Sequence, residues 1–301
     1  MEKPSLNLKE LKKLYAQQVN IMGLFREVSG STQNTTDAIL ISYDLQSGSY
    51  VKAFAEPEHR RKHDLYAAEI AAVIEPLGAA SLLEAGVGEA TTLCSALAKM
   101  KVRPAAIAGF DISWSRISCA RKFARGFGFD DANFFTGDLF HIPITDGTFD
   151  VVYTAHAIEP NHGREREILA ELCRVARRWV VLFEPSFELG NAATRQRIEE
   201  HGYCRGLPGV ARELGCEIVE HRLLANVMRE NNQTAVLLIR KPEPAGPAPR
   251  EVFACPICRA ALELVRGHYF CDECSRVFPV IDGIPCLLAG NGILASKFRD
   301  A

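Results

Sequence analysis

The alternation of short apolar runs with helical segments between residues 80 and 240 constrains this chain more than any other feature. ASLLEAG and AAIAGFD are apolar runs ending in a glycine and an acid, and the helical patterns TTLCSALAKM and WSRISCARKFARGFG follow them. ANFFTGD and FDVVYTAH read as two further strands, EREILAELCRVA as a helix and RWVVLFEP as a fifth strand. RGLPGVARELG, a helix, then leads into CEIVEHRLL and QTAVLLIRK. Strands that alternate with helices pair mostly in parallel and are covered on both faces. Only eight residues, 225–232 with MRENN among them, separate the last two, too few for a crossover helix, so the two strands are antiparallel neighbours. The expected fold class is α/β, a seven-stranded Rossmann-like sheet with an antiparallel last strand.

The flanks differ from this core. Leu8, Leu11, Leu14, Tyr15 and Val19 recur at helical spacing, so residues 1 to about 30 read as helix. HDLYAAEIAAVIEPL is a second helical region, and residues 1–75 are expected to form a helical cap or lid. KPEPAGPAPR carries four prolines in ten residues, which excludes a helix interior or central strand and predicts a stiff linker at 242–250. The expected domains are therefore the cap, a core over 76–241 and a small unit over 251–301.

At 48 % hydrophobic, 24 % charged and a formal net charge of −2, the composition is that of a globular protein without a whole-chain preference for polyanions. The densest basic cluster, His59-Arg60-Arg61-Lys62, reads as a solvated helix end. No run of 18 apolar residues occurs, so no membrane partner is expected, and the N-terminal residues lack the apolar core of a signal peptide. Of ten cysteines, four form two CxxC pairs, and others such as Cys94, Cys119 and Cys173 lie singly in apolar helical patterns. That usage fits a reducing, cytoplasmic setting.

EAGVGEA, residues 84–90, stands where the first strand turns into its helix. Glycines there let a ligand approach the backbone and leave helix N–H groups pointing at it. A dinucleotide fold would use the same turn, but Glu84 ahead of the first glycine is electrostatically unwelcome to a pyrophosphate. The third glycine of the dinucleotide fingerprint is also absent, Ala90-Thr91 standing there, and the antiparallel hairpin stands where a second βαβαβ half would be. Across roughly residues 76–241 the chain resembles the class I S-adenosylmethionine-dependent methyltransferases. The resemblance rests on EAGVGEA, on Asp111 closing AAIAGFD, on Gly137-Asp138 closing ANFFTGD, and on FDVVYTAHAIE. It implies that Glu84 holds the methionine ammonium, that Gly86 and Gly88 admit the cofactor, and that Asp111, with Ile112 beside it, takes the ribose hydroxyls. By the same resemblance Asp138 accepts from the adenine amino group, Leu139 lies on the ring, and Ala155 frames the methionine end. A ribose diol requires a bidentate acceptor, which a carboxylate supplies.

Ligands of open α/β sheets bind beyond the carboxyl ends of the strands, at the switch point. His156, Glu159 and His162 follow the fourth strand and are the candidate catalytic residues. His156 is the first choice for a general base because an imidazole can be neutral at pH 7. Glu184, ending RWVVLFEP, is expected at the same cleft. The Asn/Asp-Pro-Pro-Tyr/Phe motif of methyltransferases acting on adenine or glutamine is absent after this strand, and HAIEP more nearly resembles the small-molecule branch. YDLQSGSYVKAF resembles a lid over the cofactor, with Tyr43, Gln46 and Tyr50 as candidate lining residues.

Cys255, Cys258, Cys271 and Cys274, with twelve residues between the two pairs, have the spacing of one structural Zn2+ held by four thiolates. About fifty residues bury little core, so metal would supply most of this unit's folding free energy. CPIC, CDEC and FPVIDGIPCLL resemble the zinc-ribbon activator proteins that pair with methyltransferases acting on tRNA, rRNA and translation factors. The resemblance implies an activator-like module joined in cis, so that no separate activator subunit is required. In that family the ribbon covers apolar surface and extends a sheet edge. Cys286 is expected to be a packed small residue, and His268 to be no ligand.

The leading expectation is S-adenosylmethionine-dependent methyl transfer to an oxygen or nitrogen of a small molecule, such as a sugar or specialised metabolite. The alternatives are an RNA or translation-protein methyltransferase, which makes nucleic acid the less favoured partner, and a non-enzymatic scaffold that binds S-adenosylmethionine.

Overall fold

The computed structural model describes residues 7–241 and 249–300, so most of the expected proline-rich linker, 242–248, lies outside the described residues. Five helices precede the sheet: α1 (Leu8–Ala16), α2 (Ile21–Ser29), α3 (Thr36–Leu45), α4 (Ser49–Phe54) and α5 (Pro57–Ile74). The single helix expected before residue 30 is two. Gln18 takes a left-handed φ of 64°, and the Asn20 side chain accepts from Gly23 N at 3.0 Å, which starts a new helix. An apolar period that continues across such a cap hides it. α5 begins six residues before the expected HDLYAAE start, because Pro57 at its first turn has no N–H to satisfy.

The core runs β1 (Ser81–Ala85), α6 (Thr91–Lys99), β2 (Ala106–Asp111), α7 (Trp114–Gly126), β3 (Asn133–Thr136), β4 (Phe149–Ala155), α8 (Glu165–Val175) and β5 (Ala176–Pro185). It continues through α9 (Ala192–His201), α10 (Leu207–Glu213), β6 (Glu217–Leu223) and β7 (Thr234–Arg240). The seven strands lie in the order β3-β2-β1-β4-β5-β7-β6, with β7 antiparallel to both of its neighbours, as the alternation and the short last turn require. Helix α9 was not expected, since it buries only Thr194 and Ile198 and shows no apolar stripe. Its start is set by Asn191, whose side chain accepts from Thr194 N at 2.8 Å.

Period-two burial sends alternate strand residues into two cores. Leu82, Val151, Tyr153 and Phe183 pack with Ile70, Leu93 and Ile117 on one face. Leu83, Val152 and Leu182 pack with Ile168 and Leu172 on the other. β1 pairs with β2 on one side and β4 on the other, so the chain reverses its order across the sheet there. The carboxyl ends of β1 and β4 flank that reversal point. Among the described residues, no helix is long and apolar enough to cross a membrane.

The C-terminal unit contains β8 (Glu263–Val265), β9 (His268–Cys271), β10 (Arg276–Phe278), β11 (Val280–Ile281), β12 (Ile284–Pro285) and β13 (Ile293–Leu294). It sits on the outer edge of β3. Cys286 forms a parallel bridge with Thr136, Leu287 N donates to Thr136 O at 3.2 Å, and Phe253 forms an antiparallel bridge with Ile144. The Phe253 ring lies 5.0 Å from Phe135 and 4.9 Å from Tyr269. Arg259 adds an ion pair to Glu171 at 2.9 Å. Leu262, Phe278 and Leu287 belong to the same apolar cluster as Phe135 and Ile144, so this small unit shares the larger unit's core.

Candidate active site

The turn after β1 is fixed before any ligand is considered. Gly86 N and Val87 N both donate to Phe110 O, at 2.9 and 2.8 Å. Gly86 has φ 77°, and a Cβ there would collide with the Cβ of Ala157, so only glycine fits between the turn and the segment after β4. Ala90 is also left-handed, at φ 58°, and is fully buried at the head of α6. An alanine thus stands in a conformation that L-residues adopt at a cost of about 1–2 kcal/mol.

Around this turn lies one cavity of about 450 Å3, lined by the carboxyl ends of β1–β4 and roofed by α1–α5. Glu84, Gly86, Gly88, Asp111, Ile112, Asp138, Leu139, Ala155 and Tyr50 all line it, as do His156 and Glu159. His162 does not: its Nδ1 pairs with Glu165 at 3.0 Å and its Nε2 faces Arg205 at 3.3 Å. Glu184 lies beneath the cavity wall, where Oε1 accepts from Ala157 N and Ile158 N at 3.0 and 3.2 Å. It thereby holds the segment after β4, and burial pushes its pKa up to about 7.

Three acids at the strand ends are differently placed. Glu84 is 1 % exposed and accepts from Tyr153 Oη at 2.7 Å; burial raises its pKa to about 8 despite that bond. Asp111 accepts from Gly88 N at 3.0 Å through Oδ2 and from Ser113 N at 2.9 Å through Oδ1, which leaves further lone pairs on both oxygens. Arg116 approaches Asp111 Oδ2 to 3.9 Å, with its guanidinium over Tyr43 at 4.8 Å and Tyr50 at 4.6 Å. Asp138 accepts from Phe140 N at 3.0 Å, and burial raises its pKa.

Glu89 is a residue that motif reading passed over. It is 1 % exposed, and its two oxygens accept from Gly48 N and Val51 N, each at 2.8 Å. A carboxylate at the start of α4 satisfies helix N–H groups that have no partner in their own helix. One residue of the glycine turn thus ties the roof to the floor.

Beyond β4, His156 has a left-handed φ of 56°. Its Nδ1 lies 3.0 Å from Glu159 Oε2 and its Nε2 lies 2.8 Å from Thr234 Oγ1. Burial acts to lower the pKa of His156, but the bond and charge of Glu159 outweigh it and the net shift is upward. Arg197, Tyr203, Met228, Arg229 and Asn232 complete this wall, none of which the sequence had singled out. They come from α9 and from the connections after it, where no strand-end motif marks them.

In the C-terminal unit the sulfurs of Cys255, Cys258, Cys271 and Cys274 all lie within 4.8 Å of one another. Cys255 and Cys274 are 3.6 Å apart and Cys258 and Cys271 3.4 Å, close to the ~3.8 Å edge of a tetrahedron built on Zn–S bonds of ~2.3 Å. Cys286 stands apart from them, buried, with its thiol 3.5 Å from Ile284 O, and His268 Nδ1 accepts from Val280 N at 3.2 Å. No residue of 249–300 lines the cavity.

Residues 78–200 match the family described as "Methyltransferase domain". This segment is similar to that family. The fold of the methyltransferase domain recurs in two solved structures. Magnesium protoporphyrin IX methyltransferase from Synechocystis PCC 6803, with SAH bound, has a TM-score of 0.53 at 14 % identity; the match covers 67 % of this chain and 99 % of that one. A chain from the complex of the Haloferax volcanii Trm112 methyltransferase activator with a methyltransferase has a TM-score of 0.52 at 15 % identity, covering 66 % and 97 %. At those identities the likeness extends to the fold of the methyltransferase domain.

Proposed function

We propose that the chain uses S-adenosylmethionine to methylate an oxygen or nitrogen of a small molecule inside the cavity between the sheet and the helical roof. The observation that carries this reading is the roof itself. Five helices enclose a cavity of about 450 Å3, within the range of small-molecule sites. A long single-stranded or duplex RNA would instead call for an open basic groove. The mixed lining fits the cofactor: a buried carboxylate at Glu84 for an ammonium, a carboxylate at Asp111 for a diol, and a turn at Gly86 that a side chain would fill. The domains read as a cap over 1–75, the methyltransferase core over 76–241, a linker over 242–250 and a ribbon over 251–301.

When bound, S-adenosylmethionine supplies a methyl group on a sulfonium, and the electrons of the broken C–S bond stay on sulfur. The chain's own contribution is to hold the acceptor atom in line and to exclude water, which accounts for much of the rate of such a displacement. Where the acceptor carries a proton, Glu159 is the group placed to take it. His156 Nδ1 is hydrogen-bonded to Glu159 and its Nε2 to Thr234 Oγ1, so both ring nitrogens are engaged and His156 acts as a positioning residue. The order of roles expected from sequence, His156 before Glu159, is thereby exchanged, and His162 lies outside the site.

The four thiolates of Cys255, Cys258, Cys271 and Cys274 would hold Zn2+ and would leave it no open position, which suits a structural role. The ribbon's pairing with β3 supports the reading of an activator-like module in cis. Titration with S-adenosylhomocysteine tests the function: wild type binds one equivalent, and Asp111→Asn weakens binding at least tenfold. Absence of binding by the wild-type chain would refute the proposal.

A further inference from the structure

The cavity wall remote from the glycine turn has a charge pattern of its own. Glu84, Glu89, Asp111 and Asp138 all stand at the ends of β1–β3 or in the turn between them. Arg197 and Arg229 stand opposite, on α9 and on the β6–β7 connection. Thr234, where β7 begins, bonds His156 at 2.8 Å, so this wall borders the residues after β4. Arg229 and His156 both line the cavity, and the charge of Arg229 acts to lower the proton affinity of His156.

Arg116, the third arginine of the cavity, is already matched by Asp111 at 3.9 Å. Neither Arg197 nor Arg229 has a carboxylate within 4.0 Å among the described residues. Arg197 lies over the Tyr203 ring at 5.7 Å, and its Nε is buried without a hydrogen-bond partner. Asn232 lines the same cavity and is 7 % exposed, and its Oδ1 is likewise buried and unpartnered. A buried polar atom without a partner costs about 1–3 kcal/mol, a penalty that a ligand group of the right polarity removes.

We propose that this wall is an anion subsite: the methyl acceptor carries a carboxylate or phosphate that Arg197 and Arg229 hold, with an adjacent O–H or N–H donating to Asn232 Oδ1. The proposal deepens the methyl-transfer reading of the same cavity and rests on it. Guanidinium groups suit this task because their planar donors match the two oxygens of a carboxylate or phosphate. The anion serves as an anchor and keeps its charge. The atom that receives the methyl group lies elsewhere on the acceptor, toward Glu159. The acceptor class is thus an anionic, hydroxyl- or amine-bearing small molecule, of which a sugar acid and a sugar phosphate are the two simplest sources.

The test uses the full chain, zinc-loaded, with and without S-adenosylhomocysteine, titrated calorimetrically with glucuronate, glucose 6-phosphate and glucose. The expected result is binding of at least one anion, no binding of glucose, and a loss of at least tenfold in Arg197→Gln and in Arg229→Gln. S-adenosylhomocysteine affinity should change less than twofold in both variants. If glucuronate alone binds, the source is a carboxylate; if glucose 6-phosphate alone binds, it is a phosphate. No anion binding to wild type, or equal binding by the variants, overturns the proposal. A failure of S-adenosylhomocysteine to bind while the anion still does would overturn the methyl-transfer reading and leave the anion subsite standing.

Discussion

Replacing Glu84 by Gln should raise the stability of the ligand-free protein while weakening its hold on the cofactor, two effects of opposite sign from one atom exchange. Glu84 is 1 % exposed, and burial lifts its pKa from 4.5 to about 8. In the unfolded chain the group is ionised at pH 7, so folding must protonate it or bury its charge. The penalty at pH 7 is about 1.4 kcal/mol for each of the roughly 2.5 pH units above 4.5, on the order of 3 kcal/mol. Gln is neutral and its carbonyl still accepts from Tyr153, but its amide must find an acceptor, which offsets about 1–2 kcal/mol. The net expectation at pH 7 is a gain of about 1–2 kcal/mol. The sign with pH is definite. A carboxyl raised in the folded state contributes its full stability below about 4.5 and loses it as pH climbs through about 8. Wild type should therefore weaken across that window relative to the variant, and the gap should level off above it. Urea unfolding at several pH values measures this, read by the fluorescence of Trp114 and Trp179, the chain's two tryptophans, both of which lie in the methyltransferase core. Titration with S-adenosylmethionine should show at least a tenfold weaker Kd, since a buried cation would lose its carboxylate. A variant that is less stable at pH 8, or that binds the cofactor as well as wild type, would refute the reasoning.

Glu89→Gln should cut the charge from the cap on α4 and lower stability by about 1–2 kcal/mol; hydrogen exchange at Gly48 and Val51 should accelerate, and protection equal to wild type would argue against the tie. Chelating zinc should loosen residues 249–300 before the tryptophan-reported core melts, and an unchanged melting curve after verified metal loss would show that the metal does not hold the ribbon. Leu287→Ala removes a fully buried side chain at the ribbon's contact with Thr136 and should cost about 2–5 kcal/mol; the measurement is denaturant unfolding, and a loss under 1 kcal/mol would show that the edge is not held by packing. Glu159→Gln should lower kcat at least tenfold with S-adenosylhomocysteine affinity unchanged, whereas an unaltered kcat would remove Glu159 from proton transfer.

What the sequence made legible follows the physics of each signal. Strand ends carry their chemistry locally, so the ends of short apolar runs placed Glu84, Asp111 and Asp138, while the roles expected of them came from the family resemblance. The antiparallel hairpin was legible because the connection between the last two strands is too short for a crossover helix. The break at Gln18–Asn20 was hidden because capping interrupts a helix without interrupting its apolar period. Helix α9 was hidden for the opposite reason, since it buries too little to leave a period. Arg197, Arg229 and Asn232 converge only through the β5–β7 pairing and the packing of α9, contacts between residues far apart in sequence. Glu89 was in plain view inside EAGVGEA, but its role depends on a helix some forty residues upstream.

The contact between Thr136 and residues 286–287 also orders events in time. The sheet is synthesised well before the ribbon, so during translation β3 leaves the ribosome with one side unpaired and Phe135 uncovered. Such an edge is a template for wrong partners on neighbouring nascent chains. The seal arrives only with Phe253 and Leu287, in the unit that the proposed metal would order. If the four thiolates take up the proposed zinc, its supply during synthesis, rather than in the finished protein, is where the yield of intact molecules would be decided.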